Sequence, residues 1–171
     1  MTKAAESHLS FLLDHQPFPA FADTTQANLD RLFDALEYFS QHKDARCIRP
    51  VLFLFKHDEA DGAFSLVEDV LAMFDAVDVE PHLVEALTQA DHQAAYWPAL
   101  ISWTFPSAAV SAALAHLLQT DLADTCFAAA TGLLVDKTEA SRILVEKRMH
   151  AIEDSETREE LRRILGTNQR S

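Results

Sequence analysis

Apolar side chains recur in steps of three and four along most of this chain, and that spacing is what most limits the folds open to it. Leu29, Leu32, Phe33, Leu36 and Phe39 follow the rule, with Asp30, Arg31, Asp34 and Glu37 on the other side. This is the period that lays one apolar stripe along an α-helix. Phe64, Val67, Val70, Leu71 and Phe74 repeat it. Cys47 to Phe55 contains five consecutive apolar residues and could be a buried strand. No second strand is available to pair with it, so the segment is read as a buried helix with Pro50 near its first turn. Only three glycines occur in 171 residues, while Ala, Leu, Glu and Asp are abundant. Ala and unbranched side chains lose little entropy in a helix, which reinforces the reading.

Spacing and cap residues together set the expected elements. Helices are predicted over 4–15, from caps at Asp23 to Thr25 through about His42, over 63–77, and from Pro81 past Leu87. An aromatic helix is predicted over 93–105, followed by one capped at Pro106-Ser107 that runs to about Gln119. Asp121 is expected to cap a helix through Leu134, which holds the run Phe127-Ala128-Ala129-Ala130. Asp136-Lys137-Thr138-Glu139 reads as a capping box opening a helix to about Ile152, and Asp154 or Ser155 opens the last, ended by Gly166. This makes nine or ten helices, and their short loops make successive helices antiparallel neighbours. Leu32-Phe33-Asp34-Ala35-Leu36 returns as Met73-Phe74-Asp75-Ala76-Val77, 41 residues later. That shift lies within the period of about 40–47 residues for HEAT and armadillo repeats. The expected fold class is all-α: antiparallel helical hairpins stacked as a short HEAT-like solenoid or an irregular bundle. At 171 residues the chain fits a single domain, residues 1–171, with 1–22 able to form a loosely attached N-terminal segment.

Charge is distributed unevenly. Between Lys56 and Lys137 there is no lysine or arginine, yet that span carries thirteen acids, so its net charge of -13 equals that of the whole chain. The flanks cancel. Such a segment repels nucleic acid and anionic membrane and attracts cationic proteins. Its candidate contacts are Asp58, Glu59, Asp61, Glu68, Asp69, Asp75, Asp78, Glu80 and Glu85. The plain alternative is a solvated acidic face that only confers solubility.

Catalytic and cofactor signatures are missing from the sequence. There is no GxxxxGK[ST], GxGxxG, GxSxG or HExxH pattern. Asp58-Glu59-Ala60-Asp61-Gly62 starts like a calcium loop, but its third, fifth and twelfth positions are Ala60, Gly62 and Asp69. We therefore expect no metal, no cofactor and no enzymatic activity. A small-ligand pocket using His57 or His82 with a nearby acid is the minority reading. Cys47 and Cys126 lie inside apolar helical patterns and are expected to be buried, reduced thiols. The first eight residues lack an apolar core of the signal-peptide kind, and no stretch approaches about 18 uncharged apolar residues. A cytoplasmic protein is the expectation. Trp97 and Trp103 are six residues apart, so they point to different sides of one helix. At least one should be core, and Tyr96 or Trp97 is the candidate for a surface anchor.

Two resemblances follow. Phe127-Ala128-Ala129-Ala130-Thr131-Gly132-Leu133-Leu134-Val135-Asp136, with Leu144-Val145-Glu146-Lys147, looks like HEAT-type helical repeats. Residues 64–118 resemble helical immunity proteins of bacterial polymorphic-toxin and contact-dependent-inhibition systems. The likeness rests on Met73-Phe74-Asp75, the acidic linker Asp78-Val79-Glu80, the helix Leu83–Leu87 and then Tyr96-Trp97-Pro98. It implies a small cytosolic protein that binds one cognate toxin and blocks it. Many such toxins are cationic nucleases, whose phosphate-binding groove an acidic inhibitor could occupy. A helical-repeat adaptor that docks another protein is the alternative.

Overall fold

Ten α-helices and no strand make up the described residues of the computed structural model, which are 3–56 and 61–168. The expected all-α class is what the chain adopts. Its contacts divide it into two compact units, Met1–Ala86 and Leu87–Ser171.

The first unit holds α1 (Lys3–Asp14), α2 (Gln26–Gln41), α3 (Ile48–Leu52), α4 (Asp61–Leu71) and most of α5 (Ala76–Leu87). The Thr25 hydroxyl caps α2 by accepting from the Asn28 amide, which serves one of the donors a helix start leaves open. The apolar stripe of α2 then buries Leu32, Ala35, Leu36 and Phe39 against α1 and α4. The short helix α3 is buried almost throughout, at Ile48, Pro50, Val51 and Leu52. Residues 1–22 contain α1, which buries Ala5, Leu9, Phe11 and Leu12 and packs on α2 and α3. The proline stretch after it is pinned as well: the Phe18 amide donates to the Leu54 carbonyl at 2.6 Å, and Gln16 Nε2 donates to the Pro50 carbonyl at 2.5 Å. Each fully buried Leu or Phe contributes about 1.5–3 kcal/mol, so this segment is an integral part of the core.

The predicted helix over 63–77 ends earlier, at Leu71. Met73 and Phe74 close a tight turn by donating to the carbonyls of Val70 and Leu71. The Asp75 carbonyl then accepts from the amides of Asp78 and Val79, which starts α5. Pro81 consequently lies inside α5 rather than at its start. As the sixth helical residue it forgoes only the amide bond to Val77, whose side chain stands 78% exposed. The sequence repeat at a shift of 41 dissolves in this geometry. Its first copy is the middle of α2, and its second is the turn between α4 and α5.

The second unit contains α6 (Tyr96–Ile101), a 3-10 turn over Ser102–Thr104, α7 (Ala108–Leu117), α8 (Ala123–Leu134), α9 (Glu139–Ala151) and α10 (Ser155–Asn168). Helix α8 is its axis and packs against α6, α7, α9 and α10. Ala128, Ala129 and Ala130 are fully buried on α8, where small side chains let neighbouring helices approach closely. The predicted aromatic helix over 93–105 is cut to α6 and its 3-10 turn. Trp97 is buried in the core at 4% exposure, while Trp103 is 54% exposed. The anchor-like tryptophan is thus the one the sequence reading did not single out.

The caps are partly reassigned. Ser107 caps α7 and Asp154 holds the first turn of α10, as expected. Asp121 does not cap α8, whose N-cap residue is Leu122. Thr138, not Asp136, caps α9 by accepting from the Ser141 amide, while Asp136 accepts from the Thr138 amide and the Ser141 hydroxyl. Glu139 therefore sits in the first turn and pairs with Arg142 instead of reaching back to the cap amide. Gly166 lies within α10, which continues to Asn168.

Candidate functional site: the acidic face of the first unit

The first unit holds sixteen of the carboxylates against six basic residues, a net charge of -10, so most of the chain's -13 sits there. All nine acids singled out by the sequence reading belong to it. Asp58 and Glu59 lie outside the described residues, as does His57, and Asp61 opens α4. On α4, Val67, Val70 and Leu71 face the core, which turns Asp69 out to solvent and leaves Glu68 half-buried beside it. On α5, burial of Val79, Leu83 and Ala86 turns Asp78 and Glu85 outward, with Glu80 half-buried. Asp75 is exposed in the turn joining the two helices. Helical periodicity alone thus places the acids on the outer faces of α4, α5 and their turn.

These carboxylates are not equivalent. Asp69, Asp75 and Asp78 make no ion pair among the described residues. Glu85 does: Arg49 on α3 grips it in a bidentate pair, with Nη2 donating to Oε1 at 2.8 Å and Nε to Oε2 at 3.1 Å. Those hydrogen bonds hold the Glu85 carboxyl below the usual carboxylate range and raise the Arg49 guanidinium. Folding therefore supplies a base from outside the base-free span, 36 residues away in sequence. A second such pair joins Asp121 to Arg148 in the second unit.

Three other bases of the first unit are also engaged. Arg46 bridges Asp44 and Glu6 at 2.6 and 2.9 Å. Arg31 lies over the Phe11 ring and Lys43 over the Phe74 ring, 4.4 and 5.4 Å from their centroids. The result is unpaired negative charge at Asp69, Asp75 and Asp78, while Glu85 has its charge already met.

The remaining candidate chemistry is spread out. His82 Nδ1 stands 4.0 Å from Glu85 Oε2, beyond hydrogen-bond reach, and both side chains are well exposed. Among the described residues no group of three or more His, Cys, Asp or Glu side chains is arranged to hold a metal ion. Cys47 and Cys126 are buried and unpaired with one another. Burial pushes the Cys47 thiol up to about 12, and it raises Cys126 as well, so neither is a ready nucleophile. No helix among the described residues is long and apolar enough to cross a membrane. Comparison with protein-family models, with curated proteins and with solved structures returned no match for the chain.

Proposed function

We propose that this chain is an acidic binding protein whose first unit engages a cationic protein partner, and that it serves as an immunity or inhibitor protein for a basic toxin domain such as a nuclease. The observation that carries the reading is the charge of -10 on that unit, with Asp69, Asp75 and Asp78 exposed and unpaired. Clustered charge of one sign accelerates encounter with a partner of the opposite sign and disfavours nucleic acid and anionic lipid. On this reading the protein acts in the cytoplasm, needs no cofactor and performs no chemistry. It blocks its partner by occupying the surface meant for phosphates.

The test uses the intact chain as bait in lysate of its own host, with captured proteins identified by mass spectrometry. A basic protein retained at low salt and released at about 0.5 M salt is expected, because screening at that strength suppresses exposed charge pairs. The variant Asp69→Lys/Asp75→Asn/Asp78→Lys should lose it, and co-expression of the wild type should suppress its toxicity. Equal capture by the variant would overturn the reading.

An adaptor that docks another protein through an apolar anchor is the second reading, and half-exposed Trp103 favours it. Trp103→Ala would then abolish capture while the charge variant left it intact.

A further inference from the structure

Arg148 is a cation that the fold takes out of water without fully compensating it. Helix α9 carries it to the start of α8, where its side chain is only 13% exposed. One terminal nitrogen donates to the Thr120 carbonyl at 2.7 Å. Its ionic partner is the Asp121 carboxylate at 3.2 Å, whose side chain stands wholly in solvent. Attraction to so exposed a charge is strongly screened. Arg148 Nε is buried with no hydrogen-bond partner among the described residues, a condition native structures seldom leave unanswered.

The same guanidinium borders a cleft of about 420 Å³ within the second unit. That volume falls in the range of small-molecule sites. Two more features converge there. Helix α8 begins at the cleft with Ala123, and Leu122 gives its first turn no side-chain cap, so its free amides add positive potential there beside the acid Asp124 of the same turn. The cleft is also lined by the acids Asp121, Glu153 and Asp154, all exposed, of which Asp121 is already paired with Arg148. Asp154 accepts from the Thr157 amide at 2.7 Å, which fixes its carboxylate at the start of α10. A simple anion would meet repulsion from the acids, and a simple cation from Arg148. A ligand carrying both charges meets neither.

We infer that this cleft binds a small zwitterion of the free α-amino-acid class. Its carboxylate lies against Arg148 and the first turn of α8, and its ammonium lies against Glu153 and Asp154. The site belongs to the second unit and does not depend on the acidic face described above.

Calorimetric titration of the intact chain with each of the twenty protein amino acids, up to about 10 mM, tests the inference. At least one should bind, and in amide-resolved NMR it should shift Ala123 and Ala151. Its methyl ester and its N-acetyl derivative should each bind at least about tenfold more weakly, because each removes one charge the cleft answers. Arg148→Met and Glu153→Gln should weaken binding to a similar degree. If Arg148→Met does not fold, the two derivatives on the wild-type chain decide alone. No binding by any amino acid overturns the inference. So does binding of acetate, inorganic phosphate or the methyl ester as tight as that of the parent amino acid.

Discussion

Glu85 and Arg49 show what one residue pair contributes on an exposed face. Arg49 is doubly held, by the Glu85 carboxylate and by the Phe53 ring 4.6 Å from its guanidinium carbon. Both side chains are nearly half exposed, so solvent screens the pair and its worth stays below about 1 kcal/mol. Its pH dependence is nonetheless defined. The folded carboxyl is depressed, so the stabilisation is complete above the unfolded value and is lost as pH falls through the folded one. Glu85→Gln is therefore expected to lower the unfolding midpoint slightly at neutral pH, with a gap from wild type that closes below about pH 4. Urea titrations at both pH values measure this. A gap that persists unchanged in acid would mean that packing of the side chain, not its charge, was lost.

At the scale of elements, Gly132 sets how closely α8 packs against the 3-10 turn and α7. A Cβ built there would meet Ser102 Oγ at 2.4 Å and Leu114 Cδ1 at 3.0 Å. Ser102 is 2% exposed and donates to the Ala99 carbonyl at 2.6 Å, so turning it away leaves a buried hydroxyl unpaired. That costs about 1–3 kcal/mol, and displacing Leu114 adds to it. The helix-propensity gain from replacing glycine is about 1 kcal/mol, so the clash wins. Gly132→Ala should lower stability by about 1–2 kcal/mol, measured by chemical denaturation. Ser102→Ala in the same chain should recover most of the loss. An increase in stability on Gly132→Ala alone would mean that Ser102 and Leu114 are free to move away from α8.

For the whole molecule the governing quantity is the unbalanced charge of -13, most of it on the first unit. Like charges crowded on one unit oppose its compaction, and added salt relieves that opposition. Raising NaCl from near zero to about 0.5 M should therefore raise the urea midpoint, and Asp69→Lys/Asp78→Lys should raise it at low salt and blunt the salt response. A midpoint that falls with salt would show that ion pairs such as Arg46 with Asp44 and Glu6 outweigh the repulsion.

Helix formation depends on residues three and four apart, so the all-α class and most of the ten helices were already legible in the order of side chains. So were the caps of α2, α7 and α10, because Thr25, Ser107 and Asp154 each reach an amide only three residues away. The exposure of Asp69, Asp75 and Asp78 was equally legible, since apolar neighbours dictate which way each helix faces. What no local spacing could reveal was where competing signals would resolve. The turn closed by Met73 and Phe74 ended α4 ahead of its apolar pattern, and Pro81 was absorbed into α5. Packing around α8 took Trp97 into the core and left Trp103 outside. Only the folded chain brought Arg49 to Glu85 and Arg148 to Asp121, 36 and 27 residues apart. Those pairings divide the acids into met and unmet charges, because the Coulomb interaction acts on distance in space, which tertiary packing alone decides.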